Sequence, residues 1–262
     1  MTSAAPSFQL SRVRAGLARP TRWDLHYVER TGSTNDDARA AAGEGAVDGT
    51  VFLAGFQTAG RGARGRSWQS PPGGSLLMSV VLRPEHGPPV TALTSLGVLA
   101  LVEGLRTATG LETQIKWPND AVIRDRKVGG ILVEMVENAV IVGIGANLNF
   151  PAEAILEPDY PATTVQDELG RACDPEAVTA AVLNALGELY DDLRAKPDAL
   201  NDRWRELSSI VDRNVTVETE SETLAGTVTG FSDDGRLLLR EADGLERAIL
   251  AGRVRLPKPG SG

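Results

Sequence analysis

The 262-residue chain has one cysteine, Cys173, and two histidines, His26 and His86. A single thiol excludes an intramolecular disulfide and fits a reducing compartment, so a cytoplasmic location is expected. So few Cys and His side chains exclude a Cys/His zinc site and disfavour a histidine-based triad, and no metal ligand is assigned. No apolar run approaches the ~18 residues of a spanning helix, so no membrane partner is expected. Acidic residues are missing before Asp24, where Arg12, Arg14, Arg19 and Arg22 stand among several serines. That composition suits either an organellar transit peptide or a frayed leader with a short helix around Phe8 to Leu17, and the second reading is preferred. Net positive charge is lacking too: 27 Lys+Arg against 35 Asp+Glu leaves −8, with a pI near 5.0. This argues against nucleic acid as a partner. Hydrophobic content of 42% and charged content of 24% are those of a globular chain, which points to a small-molecule enzyme.

What is present reads as strands and helices in mixed order. Trp23 to Glu29, Thr50 to Phe56 and Leu76 to Leu82 are apolar or β-branched runs of strand length. A helix is expected over Asp36 to Ala42, after the cap candidates Ser33 to Asn35, and another over Val90 to Thr109, stopping at Gly110. Three short strands follow at Glu112 to Lys116, Ala121 to Arg124 and Gly130 to Val136, with a fourth at Val140 to Gly145. Short turns between them predict antiparallel pairing. Asp174-Pro175 opens a helix to about Ala195, and a further helix covers Asp198 to Ser208. Beyond Val211, strands at Val215 to Glu218, Leu224 to Gly230, Arg236 to Glu241 and Glu246 to Leu250 alternate with turn signals, as in a small β-barrel. The fold class is therefore α+β, a mixed and largely antiparallel sheet with flanking helices. The expected division is a leader at 1–22 (partly disordered), a catalytic domain at 23–210, a β-domain at 211–257 and a tail at 258–262.

The loop Gly60-Arg61-Gly62-Ala63-Arg64-Gly65-Arg66 is the most unusual segment. It contains G-x-G-x-x-G and nearly matches a P-loop, but Ser67-Trp68-Gln69-Ser70-Pro71-Pro72 follows and opens no helix, so both motifs fail on context. Three guanidiniums in seven residues remain, suited to forked binding of phosphate or carboxylate, with a solvated basic loop as the alternative. Lys116-Trp117-Pro118-Asn119-Asp120 gathers a cation, an aromatic ring, an amide and a carboxylate. Lys127-Val128-Gly129-Gly130-Ile131-Leu132-Val133-Glu134 places a lysine on a turn entering a strand. Either could be a surface turn.

Together with Gly32-Ser33-Thr34-Asn35, Gln57-Thr58-Ala59-Gly60-Arg61-Gly62 and Gly143-Ile144-Gly145-Ala146-Asn147, these segments resemble the biotin protein ligase family, five motifs in the family's order. The resemblance implies the biotin/lipoate ligase catalytic fold with a C-terminal SH3-like domain. It implies an enzyme that joins biotin to ATP as biotinyl-5′-adenylate and passes biotin to a lysine of a carboxyl carrier protein. On that basis Ser33, Thr34, Asn35 and Gln57 hydrogen-bond the biotin ring, with Gly60, Gly62, Ala63 and Gly129 around it. Arg61 and Lys127 hold the biotin carboxylate and then the adenylate. Arg64, Arg66, Trp68, Lys116, Asn119 and Asn147 serve the nucleotide, and Mg²⁺ arrives with ATP. Asp120, grouped with Arg61, Lys116 and Lys127 as catalytic, is the candidate to assist deprotonation of the acceptor amine in the second step. The Gly-rich loop and residues 69–75 are expected to close over the adenylate and exclude water.

One position departs from the pattern. The family loop commonly carries Arg where this chain has Ala63, which removes a charge-assisted contact worth about 1.5–3 kcal/mol. Weaker adenylate retention is the expected consequence, unless Arg64 or Arg66 compensates. A lipoate ligase on the same scaffold is the nearest rival. A biotin-responsive repressor is disfavoured because the 22 residues before Trp23 are too few for a helix-turn-helix domain.

Overall fold

The computed structural model describes residues 8–84, 90–155, 161–196, 200–232 and 235–256, with the Arg64 side chain outside that set. The expected turn at Asp233-Asp234 and the tail lie outside the described residues, as does His86. Twelve strands, six α-helices and three short 3-10 turns are present among those described.

The N-terminal segment is part of the core. Helix α1 (Leu10–Ala15) buries Val13 completely. Arg12 pairs with Asp174 and Glu176, Arg19 and Arg22 both reach Asp191, and Asn184 accepts from the Ala18 N–H. The short helix expected around Phe8 to Leu17 is present as α1, and the leader expected to be partly disordered is anchored from residue 8 onward, because its arginines meet acidic side chains of one long helix.

The catalytic sheet runs β1 (Asp24–Val28), β2 (Thr50–Ala54), β3 (Ser75–Leu82), β4 (Gln114–Lys116), β5 (Asp120–Ile123), β6 (Arg126–Val136) and β7 (Ala139–Asn147). Their spatial order is β1-β2-β3-β7-β6-β5-β4, parallel only between β1 and β2. Helix α2 (Thr34–Gly43) joins those two strands, as a parallel crossover requires. It starts at Thr34, two residues before the expected Asp36, because Gln57 supplies the cap: its Oε1 accepts the Thr34 N–H at 2.8 Å.

Helix α3 (Val90–Thr109) matches its expected bounds. By length and composition it is apolar enough to cross a membrane, the one such helix among the described residues. The charged side chains Glu103 and Arg106 keep that stretch from standing out as an unbroken apolar run. Its Leu93, Leu96, Leu99 and Leu101 are fully buried. With α5 (Pro175–Ala195), capped by Asp174, it covers one face of the sheet. Between them lies α4 (Val165–Leu169), which no sequence signal indicated. The short helix α6 (Asn201–Leu207) leads to the C-terminal sheet of β8 (Asn214–Glu218), β9 (Thr223–Phe231), β10 (Leu237–Arg240), β11 (Glu246–Ile249) and β12 (Arg253–Arg255).

That sheet is wholly antiparallel, ordered β11-β10-β9-β8-β12, and β12 is the strand the sequence pattern missed. Three residues hold too little alternation to be recognised as a strand. The C-terminal sheet is tied to the catalytic unit by an edge-on contact of Trp204 with Phe231 at 5.5 Å, by Arg213 on Asp125 at 3.1 Å, and by the Trp117 indole donating to the Gly235 carbonyl at 3.3 Å. One hydrophobic core runs through both parts.

Candidate active site

Glycines on β7 open the face of the sheet opposite α3. Successive residues of a strand alternate in direction, so Gly143, Gly145 and Asn147 share one side. A Cβ at Gly143 would stand 2.2 Å from Asn35 Oδ1, and one at Gly145 2.9 Å from the Trp68 ring. The missing side chains make room for the N-terminus of α2 and for the Gly-Arg loop. The loop folds back on itself through Trp68 N–H to Gly60 O at 2.8 Å and Gly62 N–H to Arg66 O at 2.7 Å. Gly60 lies under the loop because a Cβ there would be 2.4 Å from the Trp68 carbonyl oxygen.

The result is a cavity of about 680 Å³. Ser33, Thr34, Asn35 and Gln57 line one end, and all but Gln57 are buried. Arg61, Gly62, Ala63, Arg66 and Trp68 form the loop side. Asn119, Lys127 and Asn147 close the remaining wall. Asn119 and Asn147 are held by backbone carbonyls, at 2.8 Å to Ile131 and 3.1 Å to Thr163. Gly129 stays outside the lining: a Cβ would be 2.7 Å from both the Gly145 oxygen and Leu101, so its part is close packing of β6 on β7 and α3. The expectation on Arg64 falls on a side chain outside the described set.

Lys116 and Asp120 line a second, larger cavity of about 1150 Å³ between the catalytic and C-terminal sheets. The two cavities share Ala63, Arg66, Asn119, Ile131 and Leu132. At their junction Lys127 Nζ lies 2.5 Å from Asp120 Oδ1, linking a residue of each. Burial pushes the Lys116 ammonium below the usual lysine value, against the opposing pull of Asp120 and Asp125. A tight β5–β6 hairpin, with Arg124 and Asp125 both at positive φ (50° and 59°), sets the start of β6. Lys127 is then fixed by backbone bonds at 2.8 Å to Pro161 and Thr163.

One residue at this site, the last of the Lys127 to Glu134 segment, is not among the site residues expected from sequence. Glu134 on β6 takes Arg61 as a two-point ion pair, Nη1 to Oε1 at 2.9 Å and Nη2 to Oε2 at 2.7 Å. It also accepts from Asn35 Nδ2 at 2.7 Å and from Arg39 at 3.0 Å. Asp36 takes a further bond from Arg61 Nη2 at 2.8 Å. Burial alone would raise the Glu134 carboxyl, but hydrogen bonds from Asn35 and Arg61 outweigh it and hold the group below the ordinary glutamate value. Only its place on the strand, two residues past Leu132 on the cavity side, could have singled it out. The terminal nitrogens of Arg61 are therefore spent on protein acids. Its Nε and the Trp68 Nε1 are buried donors with no acceptor among the described residues, and an unpaired buried donor is costly. Among the described residues no group of three or more His, Cys, Asp or Glu is placed to hold a metal.

The site is thus a polar recess joined to a second groove at the Lys127–Asp120 ion pair. Residues 27–150 match the Biotin/lipoate A/B protein ligase family, and residues 210–256 the Biotin protein ligase C terminal domain. The Bifunctional ligase/repressor BirA of Bacillus spizizenii is 32% identical over 255 residues, 92% of this chain and 77% of that protein. The Biotin–[acetyl-CoA-carboxylase] ligase of Mycobacterium tuberculosis is 33% identical over 88% of each chain. Among solved structures, the biotin protein ligase of Aquifex aeolicus in complex with biotin and ATP superposes with a TM-score of 0.81, at 27% identity over 89% of this chain and 99% of that one. The chain belongs to the biotin protein ligase family, and it is a ligase.

Proposed function

We propose that the smaller cavity binds biotin and ATP and forms biotinyl-5′-adenylate, and that the groove beside it admits the lysine of a biotin carboxyl carrier domain. The contact of Lys127 with Asp120, one residue from each cavity, carries this reading. In the first step a carboxylate oxygen of biotin attacks the α-phosphorus of ATP and pyrophosphate leaves. Carboxylate and triphosphate repel, and Lys127, Arg66 and the Arg61 Nε–H are the cationic and donor groups that offset the repulsion. Ser33, Thr34 and Gln57 offer short polar groups to the ureido ring. Trp68, seated on Gly145, supplies an indole N–H and an apolar surface to the adenylate.

In the second step the acceptor amine attacks the acyl carbon, the mixed anhydride breaks, and AMP leaves with the electron pair. The amine proton passes toward Asp120, which must loosen its hold on Lys127 to take it. Mg²⁺ would enter with the nucleotide. Asp120 is engaged by Lys127, and among the described residues no group of three or more His, Cys, Asp or Glu could hold the ion, which would offset phosphate charge when bound. The catalytic unit is taken to end near residue 210, where the matched C-terminal segment begins, and the enzyme to work in the cytoplasm, where Cys173 remains a thiol.

Pyrophosphate exchange with biotin and with lipoate tests the reading. Exchange supported by biotin alone is expected. Exchange supported by lipoate alone would give the cavity to the other branch of the family.

A further inference from the structure

Ser79 on β3 is fully buried and faces Gly143 across the ladder. Its Oγ lies 2.6 Å from Asn35 Oδ1 and 2.8 Å from Thr34 Oγ1. The direction of every bond in this group is decided at one end. Glu134, held between Arg61 and Arg39, is a carboxylate and only accepts. Asn35 must therefore turn its NH₂ to Glu134 and its carbonyl oxygen to Ser79. An amide oxygen also only accepts, so Ser79 spends its single proton on Asn35. The 2.8 Å contact between the two hydroxyls then needs the proton of Thr34. Thr34 Oγ1 lies 3.1 Å from Gln57 Oε1 as well, the longer of its two contacts, and a proton spent there would leave the 2.8 Å contact between the two hydroxyls without one. With its proton committed to Ser79, Thr34 turns lone pairs toward the cavity.

We propose that Glu134, Asn35 and Ser79 form a proton-ordered relay that fixes the Thr34 hydroxyl as an acceptor, so that the cavity reads an N–H of its ligand at this point. The inference rests on the assignment of this cavity to biotin, whose ureido ring carries two N–H groups. Glu134 and Ser79 are positioning residues: they act through Thr34. The relay also gives Gly143 its purpose, since any side chain there would displace Asn35 and break the chain of donors. Reversing Thr34 would set its proton against the ligand's and leave a buried N–H unpaired.

A double-mutant cycle tests this by calorimetric titration of biotin into the full-length enzyme, using Ser79→Ala, Thr34→Val and the pair. Ser79→Ala frees Thr34 to rotate, and Thr34→Val removes the hydroxyl. Each single variant is expected to weaken biotin about tenfold. The double variant is expected to fall within about twofold of Thr34→Val, because Ser79 has nothing left to orient. Thr34→Ser should restore most of the affinity, and the ATP affinity of every variant should match that of the wild type. Ser79→Cys, which keeps the volume and a weak donor, should fall between the wild type and Ser79→Ala and guards against a folding defect. Independent losses that multiply to about a hundredfold, an unchanged Ser79→Ala, or equal losses for ATP would overturn the relay while leaving biotin binding in place. Failure of the wild type to bind biotin would overturn both the relay and the site assignment.

Discussion

Arg61 and Glu134 meet as a forked ion pair, with 2.9 Å and 2.7 Å between matching nitrogen and oxygen atoms. The pair fixes a loop arginine that lines the cavity to strand β6, and the same Glu134 carboxylate orients Asn35. It has a consequence for pH. The folded-state value of Glu134 is held below the ordinary 4.5, so the stabilisation it gives is present above that value and is lost as pH falls through the lower folded one. Biotin affinity, followed by calorimetry, should stay level from about pH 8 to 5 and fall only below the ordinary glutamate range. A decline centred near pH 6 would place the controlling group elsewhere.

Asp120→Asn separates the two half-reactions. Adenylate formation, measured by pyrophosphate exchange, should change by less than about threefold, while single-turnover transfer from preformed adenylate should slow by 10²-fold or more, the usual worth of a positioned base. Equal losses in both steps would show that Asp120 serves Lys127 rather than the amine.

The β7 glycines are predicted to be intolerant in a graded way. Gly145→Ala brings a methyl within 2.9 Å of the Trp68 ring, which can shift with its loop. Gly143→Ala strikes the Asn35 amide at 2.2 Å, in a buried site. Overpacking costs about 1–3 kcal/mol. Gly145→Ala should therefore weaken the adenylate more than it lowers the urea midpoint. Gly143→Ala should lower both and abolish biotin binding.

Ala63 lines both cavities, at the mouth between them. Ala63→Arg adds a guanidinium where the adenylate would escape. Release of labelled adenylate, timed by filtration, should slow by about 10- to 150-fold, the equivalent of 1.5–3 kcal/mol for one charge-assisted bond. An unchanged release rate would mean that the loop already closes the mouth by other means.

Much of this architecture could be read from residue patterns. The bounds of α3 and the capped start of α5 matched because each depends on signals within a few residues: an apolar helical period ending at Gly110, and the Asp174-Pro175 pair. The site motifs converged because each is a short, chemically dense turn. What escaped depended on distant partners. The short helix around Phe8 to Leu17 was legible, but its anchoring was not, because Asp174, Glu176 and Asp191, which hold residues 12–22, lie more than 150 positions away. The bonds of the Asn35 amide to Glu134 and Ser79 were not legible either. Neither partner was marked as a site residue, since a lone serine or glutamate in a strand looks like any other. Strand β12 was too short for periodicity to act.

Intact-mass analysis of an apo carrier domain, incubated with the enzyme, biotin and ATP, tests the central claim most directly. The account predicts one biotinyl group per carrier domain, on one lysine, dependent on ATP and slowed by Asp120→Asn. An unmodified carrier beside an enzyme that still exchanges pyrophosphate would contradict it.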